Sequence, residues 1–447
     1  MRKIKNVLWI LTAIFTLNAF GQAQVDEIRI LSERERAEVR DEILKERFNV
    51  LLPELMDRTG IDMWLIISRE YNEDPVMRTM LPAKWLNARR RTIIVFYRDK
   101  EQDTIEKLAV ARYDIGENIA SAWNKEEEPD QWKALERIIT SRSPSKIGIN
   151  RSEHFGLADG LVLTDYNELK QALPDSLDQR LVSAEKLSIA WIETRTQREM
   201  ELFEDLVQIT HDIIDEAFSF EVIKPGETTT DDVVWWMRQK VTDLGLETWF
   251  HPTVDIQRSD EELKSHIYSF SKGEKNKVIL PGDLLHCDFG ITYLGLNTDC
   301  QQHAYVPKTG ETSVPGFLEE AFSEGNRVQD IFTGNFKEGA TGNEVLLTSL
   351  NAGRAEGLRP AIYTHPLGTY GHSAGTTLGM WDSQDGVPFT GDYPLHLNTV
   401  YAIELNTTVN LPQWSKDIRI MLEEAGFFGA PGFRYVNGRQ EKIKLVK

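Results

Sequence analysis

The sequence has only two cysteines in 447 residues, Cys287 and Cys300, which allows at most one bridge and excludes a disulfide framework. Basic residues are outnumbered, with 51 Lys and Arg against 70 Asp and Glu and a formal charge of −19. That balance argues against nucleic acid or an anionic membrane as a partner. Beyond residue 24 no segment is apolar enough to span a bilayer, which takes about 20 such residues. Repeats at a solenoid period and low-complexity tracts are also lacking. What remains is a chain long enough for two or three domains, with an ordinary 41% of apolar residues.

The first residues stand apart from the rest. MRKIKN is basic, VLWILTAIFTLNAF is an apolar run of 14, and AFGQAQ offers small residues for cleavage after Gly21 or Ala23. This pattern predicts a secretory signal over 1–23, and therefore an exported chain, periplasmic or secreted. Residues 25–190 read as an α/β domain. A helical period closes on Gly60, "IDMWLIIS" and "RRTIIVFYRD" are strand-like, and "KLAVARYD" is the expected hairpin partner. A second domain, 191–447, opens on a long amphipathic helix with Leu202, Leu206, Ile209, Ile213 and Ile214 at a 3.6 period. Another helix ends at Gly245, and two more fall near 316–334 and 342–357, among strands and glycine-rich loops. The fold class is α+β.

The stretch "LLHCDFGITYLGLNTDCQQH" carries the first chemical signal. It reads as a hairpin with an aspartate in each strand, a residue type that strands avoid. A turn centred between Tyr293 and Leu294 puts Asp288 directly opposite Asp299, with both carboxylates on one face. No Lys or Arg flanks them, so their repulsion calls for a cation from elsewhere. Cys287 and Cys300 should point to the other face, as packing residues or as a cross-strand bridge.

Further ligand types follow along the chain. "THPLGTYGHSAGTTLG" holds His365 and His372, "VYAIELNTTV" holds Glu404, and "DIRIMLEEAGFF" holds Glu423 and Glu424. Strand parity separates the last two, because Ile418, Ile420, Leu422 and Glu424 share one face while Arg419, Met421 and Glu423 share the other. The apolar face belongs in the core, which makes Glu423 the better ligand unless a bulge intervenes. Each of these residues also has an ordinary reading as a solvated glutamate or a capping histidine. Together, hard oxygens and imidazole suit two divalent ions of the Mn, Co, Fe or Zn kind.

The order Asp, ten residues, Asp, then His, Glu and Glu resembles the pita-bread metallopeptidases of the M24 type. These include methionine aminopeptidase, Xaa-Pro aminopeptidase, prolidase and the related creatinase. "PGDLLHCDFGITYLGLNTD" looks like the family's paired-aspartate motif, "HSAGTTLG" like its histidine loop, and "AIEL" and "RIMLEE" like its glutamate strands. The likeness covers roughly 195–430, and the preceding α/β domain resembles the N-terminal domain of the Xaa-Pro aminopeptidase, prolidase and creatinase branch. The resemblance implies Asp288, Asp299, His372, Glu404 and Glu423 as metal ligands, with Asp299 and Glu423 bridging. It also implies Glu404 as general base, and His365 and His266 in the substrate pocket, with His251 as the alternative to His266.

Some positions depart from the family pattern. No histidine follows His372 at short range, where many members contact the substrate carbonyl, and Trp381 lies in that region. Leu405 and Asn406 replace the usual proline and glycine after the first glutamate. His286, two residues before Asp288, shares its strand face and either enters the site or is a buried, hydrogen-bonded histidine. The resemblance implies release of an N-terminal residue before proline from short peptides, and the sequence leaves open whether the chain is a monomer or a homo-oligomer. Prolidase-like dipeptide cleavage, a creatinase-like amidinohydrolase and a non-catalytic binding module are the rival readings.

Overall fold

The computed structural model describes residues 29–260 and 276–447. The expected signal segment and His266 lie outside the described residues. Leu31–Lys447 belongs to one compact unit.

The first helix, Glu33–Glu46, starts on a capping box in which Ser32 and Glu35 satisfy each other's backbone N–H groups. A π-helical segment, Arg47–Leu51, leads into Leu52–Thr59, which stops at Gly60 with a left-handed φ of 67°. Six strands then form one sheet: β1 (Met63–Arg69), β2 (Arg91–Asp99), β3 (Thr104–Ala109), β4 (Ala120–Ser121), β5 (Ile147–Ile149) and β6 (Leu181–Ser183), in the order β4-β3-β2-β1-β5-β6. β3 is the expected partner of β2, but it begins three residues before "KLAVARYD" and stops at Ala109. The near-continuous apolar run of β1 is explained by helices on both faces. Trp64 and Ile66 pack in one cluster with Phe48 and Leu52, while Met63, Leu65 and Ile67 pack in another with Trp132 and Leu135.

The helix Gln197–Ala217 buries Leu202, Leu206, Ile209, Ile213 and Ile214, as its period predicts. Its N-terminus is pinned by a buried triad, with Glu199 Oε2 2.8 Å from Arg47 and Oε1 2.9 Å from Arg195. A second helix, Thr230–Asp243, opens on a Thr229–Asp232 capping box and ends just before Gly245. No described helix is long and apolar enough to cross a membrane.

The remaining strands are β7 (Thr253–Gln257), β8 (Leu284–Phe289), β9 (Thr292–Tyr293), β10 (Leu296–Asn297), β11 (Cys300–Tyr305), β12 (Pro360–Ile362), β13 (His365–Leu367), β14 (Thr399–Ala402), β15 (Leu405–Leu411), β16 (Lys416–Leu422), β17 (Ala425–Gly429), β18 (Gly432–Tyr435) and β19 (Lys444–Leu445). Ile418, Ile420 and Leu422 of β16 lie in the core with Phe322 and Val328 of the helix Gly316–Thr333 and Leu346 of Gly342–Ala355. Gly325 makes the helix–strand approach possible, since a Cβ there would sit 2.8 Å from Ile420. With this face covered, Arg419, Met421 and Glu423 are turned the other way.

Candidate functional site

The hairpin turns one position later than the sequence suggests. Leu294 and Gly295 both take positive φ, 55° and 80°, so they are the two central residues, and Tyr293 pairs with Leu296. Asp288 therefore pairs with Gln301, not with Asp299. Asp299 lies two residues before Gln301, so both aspartates still share a face, diagonally instead of directly opposed.

Register carries the row across the sheet. Gln301 bridges Glu423 through two backbone bonds, Gln301 N–H to Glu423 O at 3.0 Å and Glu423 N–H to Gln301 O at 3.3 Å. Ala402 pairs with Ala425 and Leu405 with Leu422, so one register runs through both ladders and sets Glu404 opposite Glu423. Tyr363 N–H then donates to Glu404 O at 3.1 Å. Asp288, Gln301, Glu423, Glu404 and Tyr363 thus form a line across the strands. His365, facing Ala402, lies one step along on the same face as Glu404.

Ligand atoms of Asp288, Asp299 and Glu423 lie within 4.8 Å of one another, as do those of His365, Glu404 and Glu423, and those of Asp299, His365 and His372. Glu423 is common to the first two groups. Asp288 Oδ1, Asp299 Oδ1, Glu423 Oε1 and His365 Nε2 are buried without a hydrogen-bond partner among the described residues. No described Lys or Arg pairs with these carboxylates. Burial first, and then the neighbouring charges, hold Asp299, Glu404 and Glu423 well above the usual carboxylate range. Converging orphaned acceptors of this kind suit a divalent cation held by oxygen and imidazole.

The two histidines differ in placement. His365 Nδ1 lies 3.0 Å from the Pro366 carbonyl, which only accepts, so Nδ1 carries the proton. Burial, followed by His372, pushes the ring's pKa down to about 4, leaving it neutral. Its Nε2 lone pair then points between Asp299 Oδ2 at 3.7 Å and Glu423 Oε1 at 3.8 Å. His372 is exposed, edge-on to His365 with ring centroids 4.6 Å apart. It reaches only the group shared with Asp299 and His365, although the sequence reading makes it the ligand and His365 the pocket residue. Trp249 stands against its other side at 5.2 Å. His251 is exposed and accepts from Arg238 at Nδ1, and it belongs to none of these ligand groups.

Several contributors were silent in the sequence. Gln301 Nε2 donates to Glu404 Oε1 at 2.5 Å and to Glu423 Oε2 at 2.9 Å. Thr364 Oγ1 holds the Glu404 backbone from both sides, accepting from its N–H at 3.0 Å and donating to its O at 3.1 Å. Asn406, one of the departures from the family pattern, donates to Tyr363 Oη at 3.1 Å. His286 is the buried, hydrogen-bonded kind, 2.9 Å from Gln301 Oε1. On the opposite face lie both cysteines, free and buried, and Glu424, which His211 meets at 2.7 Å and Cys300 Sγ at 3.7 Å.

Known proteins resemble the chain in family and in fold. The model of metallopeptidase family M24 matches residues 201–424. In fold the chain is similar to the X-Pro aminopeptidase of Thermotoga maritima, at 17% identity and a TM-score of 0.60, covering 87% of this chain and 99% of that one. It is similar to the Xaa-Pro dipeptidase of Bacillus anthracis, at 17% identity and a TM-score of 0.55, covering 93% and 100%. It also resembles the N-terminal domain of FACT complex subunit SPT16 from chickpea, at 12% identity and a TM-score of 0.53, covering 93% and 99%. A sequence search of curated proteins finds no match. At these identities the structural likeness speaks for the pita-bread fold alone. The family match goes further: it spans half of the chain and contains the whole cluster from Asp288 to Glu423, so the chain belongs to metallopeptidase family M24.

Proposed function

We propose that this protein is a two-metal peptidase that removes an N-terminal residue preceding proline from short peptides. The observation that carries the reading is the convergence of buried acceptors, Asp288 Oδ1, Asp299 Oδ1, Glu423 Oε1 and His365 Nε2, with no donor to satisfy them among the described residues. Asp288 and Asp299 would hold one ion, His365 and Glu404 the other, and Glu423 both. Divalent ions there, manganese in the first instance, would polarise the scissile carbonyl and make water nucleophilic at neutral pH.

The imidazole roles are therefore exchanged relative to the sequence reading. With His365 as ligand, His372 becomes the histidine that follows it at short range, where the family resemblance implies a contact to the substrate carbonyl. Glu404 is the proton carrier. Thr364 clamps its backbone and Gln301 holds Oε1, which fixes the carboxylate that moves the proton toward the leaving amine. The proline preference draws support from the fold likeness to the X-Pro aminopeptidase and the Xaa-Pro dipeptidase, whose names state that preference. We further propose export through the 1–23 segment, and an α/β domain over 25–190 distinct from 191–447.

The likeness to the N-terminal domain of a FACT complex subunit keeps a binding module in view. Elemental analysis and a peptide-library digest before and after chelation test the proposal. Two ions per chain and chelator-sensitive cleavage before proline are expected. Metal-free protein, or two ions with no cleavage of any peptide, would sink it, the latter pointing to a different amide or amidine substrate.

A further inference from the structure

β11 carries adjacent glutamines whose side chains leave on opposite faces, and each grips one of two adjacent glutamates. Gln302 Nε2 donates to Glu424 Oε1 at 2.9 Å, on the face away from the candidate metal centre. Gln301 Nε2 donates to both Glu404 and Glu423 on the near face. A carboxamide nitrogen has two N–H donors, so both are used on these two carboxylates. The carboxamide oxygen only accepts, and its partner, 2.9 Å away, is His286 Nε2, which must therefore carry the proton. Gln301, His286 and Glu423 are all buried, so the amide cannot exchange these partners for water.

This arrangement sorts the oxygens of each glutamate. An N–H group and a cation cannot share one lone pair, so each oxygen bonded to Gln301 keeps one lone pair for a metal while its partner oxygen keeps both. On Glu423 that partner oxygen is Oε1, the orphaned one 3.8 Å from His365 Nε2. On Glu404 it is Oε2. Among the described residues Gln301 makes no bond to Asp288 or Asp299. Its grip therefore falls on the His365–Glu404–Glu423 group and only through Glu423 on the other.

We propose that Gln301, anchored by His286, is a positioning residue that presents Glu404 Oε2 and Glu423 Oε1 to the ion held with His365. It thereby sets the affinity of that ion and leaves the Asp288–Asp299 ion nearly unaffected. The inference rests on the metal-centre reading above. A glutamine that only filled the core would support stability and leave both affinities alone.

The test is calorimetric titration of the chelated full chain with manganese alone. Gln301→Met keeps the side chain's length and removes both donors. One ion should bind as in the wild type, while the other weakens about 10–100-fold, the usual effect of losing a partner that orients a ligand. Gln302→Met, the same change on the other face, should keep both affinities. If Gln301→Met fails to fold by circular dichroism, His286→Phe carries the test, with the same selective weakening at smaller size. Unchanged affinities, or equal weakening of both ions, overturn the inference alone. Wild-type protein that takes up no manganese overturns the metal-centre reading and the inference with it.

Discussion

Glu404 and Glu423 stand opposite each other where one register runs through two antiparallel ladders, and the amide of Gln301 bonds both. The neighbouring Glu424 faces the other way, held by His211 Nε2 at 2.7 Å, Gln302 Nε2 at 2.9 Å and the Gln440 N–H at 3.2 Å. The two glutamates therefore make a paired test. Glu423→Gln should lose bound metal and activity together, because this residue belongs to both ligand groups. Glu424→Gln should keep its metal but unfold more easily, since an amide N–H forced against buried donors costs about 1–3 kcal/mol. Metal analysis and thermal unfolding of both variants decide it. Metal loss from Glu424→Gln would reverse the assignment.

His365 and His372 separate in the same way. His365→Ala removes the neutral imidazole whose lone pair faces Asp299 and Glu423, so one ion per chain should be lost. His372→Ala should keep both ions and lower kcat about 10²–10³-fold if its N–H meets the developing oxyanion. Elemental analysis beside steady-state kinetics reads both effects. Full metal content in His365→Ala would restore the original order of roles.

The proposed exchange of roles shows what a sequence can carry. Parity alone assigned Glu423 to the open face, because Ile418, Ile420 and Leu422 are an unmistakable core stripe. The hairpin slipped by one position because the turn uses Leu294 in a left-handed conformation, which nothing about leucine announces. The shared face survived, since moving the turn centre by one residue shifts each partner by two. The histidines were harder. Both sit among glycines, and only the pairing of His365 with Ala402 and the Pro366 carbonyl on its Nδ1 reveal where the lone pair points. Gln301 was silent because a glutamine in a strand looks like any polar residue until its neighbours in space are known.

Trp249 buttresses the loop that carries His372, and Gly371 is the contact. A Cβ at Gly371 would lie 2.4 Å from the indole ring, too close for any accommodation short of moving one of them. Trp249 is tied down by its Nε1–H bond to Thr298 O at 2.9 Å, so the loop should give way. Gly371→Ala is expected to displace His372, lowering kcat at least about tenfold with metal content intact. Activity equal to wild type would show that the loop has slack the contact does not suggest.

The last prediction concerns stability against pH. Glu193 closes the helix Glu185–Glu193 and is fully buried. Burial pushes its pKa up to about 8, only partly offset by Arg58 at 3.8 Å, the Tyr393 hydroxyl at 3.4 Å and Arg195. Its Oε2 has no partner among the described residues and lies where a Cβ at Gly375 would come within 2.8 Å, so the carboxyl supports the glycine-rich loop after His372. In the unfolded chain a glutamate titrates near its ordinary value of about 4.3. Between that value and about 8 the native state keeps a proton that the unfolded state has released. Stability from this group is therefore complete below the lower value and drains away as pH rises through the upper one, at up to about 1.4 kcal/mol per pH unit. Glu193→Gln cannot ionise. Its melting temperature should match or trail the wild type at pH 5 and exceed it at pH 9. A difference between the two proteins that stays constant from pH 5 to 9 would mean that the carboxyl titrates at its ordinary value in the folded protein as well.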